Sequence, residues 1–487
     1  MRKAGRRFKG GYSFKNFKGT PSEKIQRNIS PRQVVIPLKR MSGFEVQSLV
    51  SAGDTVKAGQ IIGKDDETVS SPVHASVSGT VASIGKRDIY GEKTACVCIE
   101  KNGNSGEDDL ERAEGAVKEW DSLDNGKIEE LIYATGVSGL DSAGIPTKFN
   151  SSPVQPEDVE EIIIAESESD LFQPSLGVLL AGDGLSEFTQ GIRILKKLFH
   201  NRPVHLVLNG ERKQLLKEIE KSLQGCDGAD IVAVKPKYPQ DAEQILVPTV
   251  LGKKYPAGYQ AVSLGILILS VQTIISLYRG VTEGVPAINR IIALGGEGFT
   301  ENLHVEVPVG TAIREITEGR MKGEENRIVI NSVNTGKQAD DISAPVLWHT
   351  TALIAIPEVP EEGLMPFAMP GFFKDSVSVT FPSRFLPVRK KLNTNIHGEE
   401  RACLQCGFCI DVCPVGIYPN LLHRYVERNI IEDSLANFGI FSCIDCNLCT
   451  YVCTSKLPLA ENIREGKKKL VEEGFEARAE VPQGIES

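Results

Sequence analysis

The sequence predicts a multidomain α+β protein, and three observations carry that expectation. A chain of 487 residues exceeds what a single core usually accommodates. An early stretch of short β patterns gives way to alternating apolar strands and amphipathic helices. The C-terminal part then holds two runs of cysteines with the same internal spacing. Hydrophobic content of 41% and charged content of 24% describe an ordinary globular chain.

The expected elements run as follows. Residues 1–30 form a basic arm, since positions 1–40 hold twelve Lys or Arg against one acid, Glu23, in a chain of net charge −9. This arm reads either as a solvated tail or as a docking segment for an acidic partner or an anionic membrane surface. In the second case Arg2, Lys3, Arg6, Arg7, Lys9, Lys15 and Lys18 make the contact, at about 1 kcal/mol per cation near such a surface. No nucleic-acid motif accompanies the arm, so no nucleic acid is expected as partner. Its charges are followed by no apolar run, so it does not read as a secretory signal.

Residues 31–103 are short strands and Gly-rich turns, as in VSAGDTVKAGQIIG, Val50 to Gly63. They resemble the barrel-sandwich of biotinyl and lipoyl carriers. The hairpin SPVHASVSG, Ser71 to Gly79, has no lysine to carry a swinging cofactor. The domain is therefore expected to be scaffold, with His74 either a functional stand-in or a hydrogen-bonded turn histidine. Residues 104–127 read as an acidic, solvated linker.

Residues 128–286 alternate strand and helix, which predicts an α/β sandwich with parallel pairs. Strands are expected at Glu160–Ala165 and Pro203–Gly210, and helices at Glu187–Asn201 and 211–225. The most apolar window, Val262–Tyr278, is too short and too rich in Ser, Gln and Thr to cross a bilayer, and reads as a buried strand running into a helix. Residues 287–340 read as a small β-rich unit, 341–395 as a connecting segment, 396–470 as the cysteine domain and 471–487 as a tail.

Eight of the eleven cysteines lie in the two runs; Cys96, Cys98 and Cys226 are scattered. That clustering predicts metal ligation in a reducing, cytoplasmic setting over a disulfide framework. Cys403, Cys406, Cys409 and Cys413 follow C-x2-C-x2-C-x3-C-P, and Cys443, Cys446, Cys449 and Cys453 repeat the spacing with Thr454 in place of the proline. Structural zinc usually takes two pairs across a longer loop. Three thiolates at i, i+3 and i+6 instead wrap one face of a cubane, and in two-cluster chains the fourth cysteine ligates the other cluster. The spacing therefore predicts two [4Fe–4S] clusters with exchanged fourth ligands. One is held by Cys403, Cys406, Cys409 and Cys453, the other by Cys413, Cys443, Cys446 and Cys449. Lys456 and His397 lie near enough in sequence to tune the clusters, or serve as surface charge and capping contacts.

GGYSFKNFKG, the turn at Gly53 to Gly63, SSPVHASVSGTV, the segment Arg290 to Ile316 and the paired cysteine runs together resemble the RnfC component of the Rnf ion-translocating electron-transport complex. Ser383 to Cys409 and HRYVERNIIEDSLANFGIFSC are more similar to the NqrA component of the sodium-pumping NADH:quinone reductase. The resemblance implies a flavin-domain-like α/β sandwich, like the flavin subunit of respiratory complex I, at 128–286 and an SLBB-like β-grasp at 287–340. It implies a helical two-cluster ferredoxin-like domain at 396–470. It also implies an FMN and NADH site. In GVSGLDSAGIPTKFN, Gly139, Ala143, Gly144, Thr147 and Lys148 match the phosphate-receiving loop, and Glu166 and Glu168 match the acidic segment that faces the nicotinamide. Asp141-Ser142 stands where the family has two glycines, which puts a negative side chain at the phosphate and predicts that the isolated chain holds little flavin.

The implied function is a one-electron relay in a membrane-bound, ion-translocating oxidoreductase. The chain would lie peripherally on the cytoplasmic side of the cell membrane, with the complex's membrane subunits as partners and ferredoxin or NADH as redox partner. The alternative is an assembly or interaction subunit whose clusters are structural.

Overall fold

The computed structural model describes residues 2–27, 29–40, 43–103, 109–323, 325–359, 373–377, 386–395 and 399–475. His397 and parts of the Ser383–Cys409 stretch lie outside the described residues. Among the described residues no helix is long and apolar enough to cross a membrane.

Two small antiparallel sheets form the first unit. One orders the strands Gln33–Pro37, Glu92–Lys101, Gly79–Ile89 and Thr55–Val56; the other orders Gln47–Ser48, Ile61–Lys64 and Val73–His74. Val34, Ile36, Ile62, Val97 and Ile99 alternate into the space between them and are fully buried. His74 is buried too: its Nε2 lies 2.8 Å from the Ala134 carbonyl. Burial, then the neighbouring Arg40, pushes the imidazole down to about 3, so it stays neutral and structural.

A five-stranded parallel sheet follows, in the order Arg2–Ala4, Ala229–Val234, Val204–Asn209, Glu161–Glu166, Ile266–Ser270. Ile162, Ile163 and Ile164 are all fully buried, as a strand covered on both faces requires. Each contributes about 1.5–3 kcal/mol of burial. The helix Gly184–Leu198 turns Phe188, Ile192, Leu195 and Leu198 into the core. It approaches the helix Val271–Glu283 so closely at Gly191 that a Cβ there would sit 2.4 Å from the Ile274 carbonyl oxygen. The expected run of strand into helix at Val262–Tyr278 is the strand Ile266–Ser270 continuing directly into Val271–Glu283.

A six-stranded mixed sheet packs beside these, ordered Lys337–Gln338, Asn326–Ile330, Ala352–Pro357, Asn289–Gly295, Leu303–Pro308, Ile25–Gln26. The strand Ala352–Pro357 belongs to this sheet, although it falls in the stretch read from sequence as a connecting segment. The C-terminal unit is helical: Phe408–Asp411, Pro419–Glu427, Asp433–Asn437, Leu448–Tyr451 and Leu459–Glu472.

The arm departs most from its sequence reading. It is not a solvated tail but a strap across three units, along which Arg2, Arg6, Arg7 and Lys9 stay exposed. Arg2–Ala4 is an edge strand of the parallel sheet, and Ile25–Gln26 is an edge strand of the mixed sheet. Between them Tyr12 and Tyr238 exchange backbone hydrogen bonds at 2.8 Å, and the Gly11 N–H donates to the Val412 carbonyl at 2.8 Å. Lys3, Lys15 and Lys24 pair with the chain's own Asp230, Glu211 and Glu301. Tyr12 and Phe14 pack against Tyr451 of the helical unit.

Candidate functional site

The two cysteine runs fold alike. Gln405 and Asp445, each just before the second cysteine, are left-handed, as are Gly407 and Asn447 just after it. Each run then enters a one-turn helix, Phe408–Asp411 or Leu448–Tyr451. Successive residues of this kind turn backbone N–H groups toward one concave space, the arrangement that receives anionic sulfides. The repeat extends further, because Lys456 holds the left-handed conformation that Gly416 holds in the first copy.

The fold brings the fourth cysteine of each run to the other run. The Arg401 N–H donates to the Ser455 carbonyl at 2.9 Å, and the Ser455 hydroxyl to the Ala402 carbonyl at 2.9 Å. Those two bonds lay Cys453 beside Cys403. Burial pushes the Cys409 thiol up to about 11, and the thiols that add to the rise are Cys406, Cys453 and Cys403. Burial likewise raises Cys443 to about 11 and Cys446 to about 12, with Cys413 among the neighbours that add to each. Cys413, Cys443, Cys446 and Cys449 line one small apolar cavity. All eight are free thiols. Lys467 braces the second run through the Cys443 carbonyl at 2.6 Å and Asp445 at 2.8 Å.

A cleft of about 900 Å³ opens where the parallel sheet, the mixed sheet and the helical unit meet. It lies beyond the C-terminal ends of the parallel strands, where open α/β sheets collect ligands. Glu166, Glu168, Asp170 and Asp241 face it from one side, Asp445, Cys446 and Arg464 from the other. Desolvation, then the carboxylates of Asp241 and Glu168, holds Glu166 well above the usual range. Burial moves Asp170 up to about 6. Glu168 is taken up by structure: Arg212 grips it at 2.7 and 2.9 Å, and it accepts the Leu176 N–H at 3.0 Å. Tyr238 lines the cleft and donates to the Cys446 carbonyl at 3.0 Å.

The residues matched to the phosphate loop are not part of the cleft's lining. Gly139 packs on the first unit, where a Cβ would meet Arg40 at 2.7 Å and Ser71 at 2.8 Å. The Gly144 N–H already donates to the Asp141 carbonyl at 3.0 Å, and Ala143 is partly buried beside it. Thr147 bonds Ser151 at 2.8 Å, and the Lys148 N–H donates to Glu129 at 2.7 Å. Sequence reasoning missed Tyr238 and Asp241. Nothing local marks them, because strands and loops distant in sequence bring them together.

Known proteins share this architecture. The RnfC barrel sandwich hybrid domain matches residues 6–104, the Nuo51 FMN-binding domain residues 132–279 and the 4Fe-4S dicluster domain residues 402–458. These three matches define a multidomain chain with a barrel-sandwich, an FMN-binding-type and a 4Fe-4S dicluster domain. Among relatives, the C subunit of a proton-translocating ferredoxin:NAD(+) oxidoreductase complex from Clostridium ljungdahlii is 24% identical, over 89% of this chain and 87% of that one. The C subunit of a Na(+)-translocating ferredoxin:NAD(+) oxidoreductase complex from Acetobacterium woodii is 22% identical, over 91% of each. The C subunit of the ion-translocating oxidoreductase complex of Pasteurella multocida is 26% identical over 96% of this chain, which spans 53% of that longer protein. This chain is thus similar over most of its length to C subunits of ion-translocating oxidoreductase complexes.

The residues fit the two cofactor types unequally. Cys413, Cys443, Cys446 and Cys449 around one cavity, and Cys453 among the thiols that act on Cys409 with Cys403 and Cys406, are soft donors of the kind iron–sulfur clusters use. The 139–148 loop does not fit a flavin phosphate. Its glycines are used for packing, its N–H groups are partly spent, and a carboxylate stands among them.

Proposed function

We propose that this chain is the iron–sulfur electron-transfer subunit of a membrane-bound, ion-translocating oxidoreductase of the Rnf or Nqr type. One [4Fe–4S] cluster is assigned to Cys403, Cys406, Cys409 and Cys453, the other to Cys413, Cys443, Cys446 and Cys449. The observation that carries this reading is the meeting of each fourth cysteine with the opposite run. When bound, such clusters supply reversible one-electron transfer. The chain's own part is to hold eight thiolates, which release their protons on ligation, and to aim backbone N–H groups at the sulfides.

The second thiol set borders the acidic cleft through Cys446. The first reaches the surface, with Cys406 exposed and Leu404 70% exposed beside it. That arrangement suits passage between a site in the cleft and a partner at the surface. The partners in this reading are the membrane subunits of the complex and ferredoxin or NAD, which the relatives' names carry. The chain sits peripherally on the cytoplasmic face. The mixed sheet with its short helix Ile313–Thr317 is read as the SLBB-like β-grasp, and the Ser383–Cys409 likeness to the NqrA component of the sodium-pumping reductase belongs to the same reading.

The test is redox spectroscopy on anaerobically reconstituted protein. Dithionite should bleach the visible thiolate–iron absorption and air-free reoxidation should restore it. Clusters that resist reduction at every accessible potential would leave them structural and refute the relay.

A further inference from the structure

The helix Val271–Glu283 begins directly at the end of the edge strand Ile266–Ser270, with Ser270 as its cap. A helix start at the carboxyl end of a parallel strand attracts anions, because free N–H groups and the helix dipole both favour negative charge there. A second feature points the same way. Arg290, on the neighbouring strand Asn289–Gly295, is 6% exposed, and its Nε finds no hydrogen-bond partner. A buried guanidinium is costly unless an anion lies close by.

That anion belongs to the chain itself. Asp141 Oδ2 accepts the Ser270 N–H at 3.1 Å. Burial raises the Asp141 carboxyl above its usual value, and hydrogen bonds from Thr273 and Ser270 and the charge of Arg290 offset part of that rise. Burial lowers Arg290, and the charges of Asp141 and Glu166 offset part of that. The loop that delivers Asp141 is the one whose sequence resembles a phosphate-receiving loop.

We propose that Asp141 is a resident anion that occupies the phosphate receptor of the flavin-type domain, so that this chain does not take a flavin mononucleotide there. The receptor survives: a helix start, the hydroxyls of Ser270 and Thr273 at 2.9 Å from each other, and a buried arginine. Its occupant is a side chain in place of a phosphomonoester. Glu166 and Asp241 lie on the cleft side, and burial raises both carboxyls above their usual range. Removing the Asp141 carboxylate should therefore create phosphate affinity, which is the reverse of what substitution in a working site does.

The experiment uses the full chain, anaerobically reconstituted, with iron content measured in every sample so that the cluster reading is judged separately. Flavin mononucleotide is titrated by quenching of its fluorescence, with riboflavin and inorganic phosphate as the comparison probes. Wild-type protein should show only weak quenching that does not saturate. Asp141→Gly should bind flavin mononucleotide about 10- to 100-fold more tightly than wild type, the range expected from removing one like charge near the phosphate. Inorganic phosphate should compete, and riboflavin, which lacks the phosphate, should gain nothing. Asp141→Asn keeps the volume and the Ser270 contact and guards against a folding defect in the glycine variant. It should show part of the gain, and inorganic phosphate should raise its thermal midpoint but not that of wild type. Wild-type protein that retains near-stoichiometric flavin through gel filtration would overturn the proposal. So would a folded Asp141→Asn that binds flavin mononucleotide and phosphate no better than wild type.

Discussion

His205 lies on the strand Val204–Asn209, with Nδ1 2.5 Å from Asp230 and Nε2 3.0 Å from Glu161. Burial opposes its charge, yet the two carboxylates prevail and hold the imidazole above its usual 6.5. A group whose folded value is raised stabilises the fold below its unfolded value and loses that contribution as pH rises through the folded one. The thermal midpoint of wild type should therefore exceed that of His205→Asn most clearly below about pH 6.5, and the gap should close at higher pH. A gap independent of pH would mean that packing, and not charge, is what His205 provides. Gly10 allows a second test. At φ +63° it lies against the first-run backbone, where a Cβ would stand 2.3 Å from the Cys413 oxygen. Gly10→Ala should lower the thermal midpoint and the iron content. Gly53→Ala, at φ +95° with open space around it, should cost only the backbone strain of about 1–2 kcal/mol. Asp141 was readable in sequence as a misfit among glycines. Its bond to Ser270 was not, because the two stand 129 positions apart.

Among the strands and helices, periodicity was informative wherever an element is long and buried. The strand Glu161–Glu166 and the helices Gly184–Leu198 and Lys213–Ser222 lie within a few residues of their expected places. The strap was not legible. Its strands have three and two residues and sit on sheet edges, too short to present an apolar alternation. Their partners, near Ile231 and His304, are over two hundred residues away. The strap's exposed ion pairs are worth about 0–1 kcal/mol each, whereas its backbone ladders and the Tyr12–Phe14–Tyr451 packing do not depend on salt. Raising salt to about 1 M, where the Debye length falls to about 3 Å, should therefore leave the strap in place. Deleting residues 2–18 should loosen the helical unit from the parallel sheet, seen as new cleavage between 386 and 402 in limited proteolysis. An unchanged cleavage pattern in the deletion would show that the strap is dispensable.

Across the chain as a unit, the cysteine spacing carried the most functional information. Ligand exchange is an expectation that two copies of one motif raise by themselves, without reference to the tertiary fold. The placement of the second thiol set on the rim of an acidic cleft could not, since that cleft is built from three units. Whether each fourth cysteine serves the opposite run is tested most directly by iron and sulfide analysis with electron paramagnetic resonance on reconstituted wild type, Cys413→Ser and Cys453→Ser. Wild type should hold about eight irons and eight sulfides. Cys413→Ser should alter only the signal of the cluster on Cys443, Cys446 and Cys449, and Cys453→Ser only that of the cluster on Cys403, Cys406 and Cys409. Signals showing each fourth cysteine bound to its own run, or stoichiometric zinc in place of iron, would contradict the exchange.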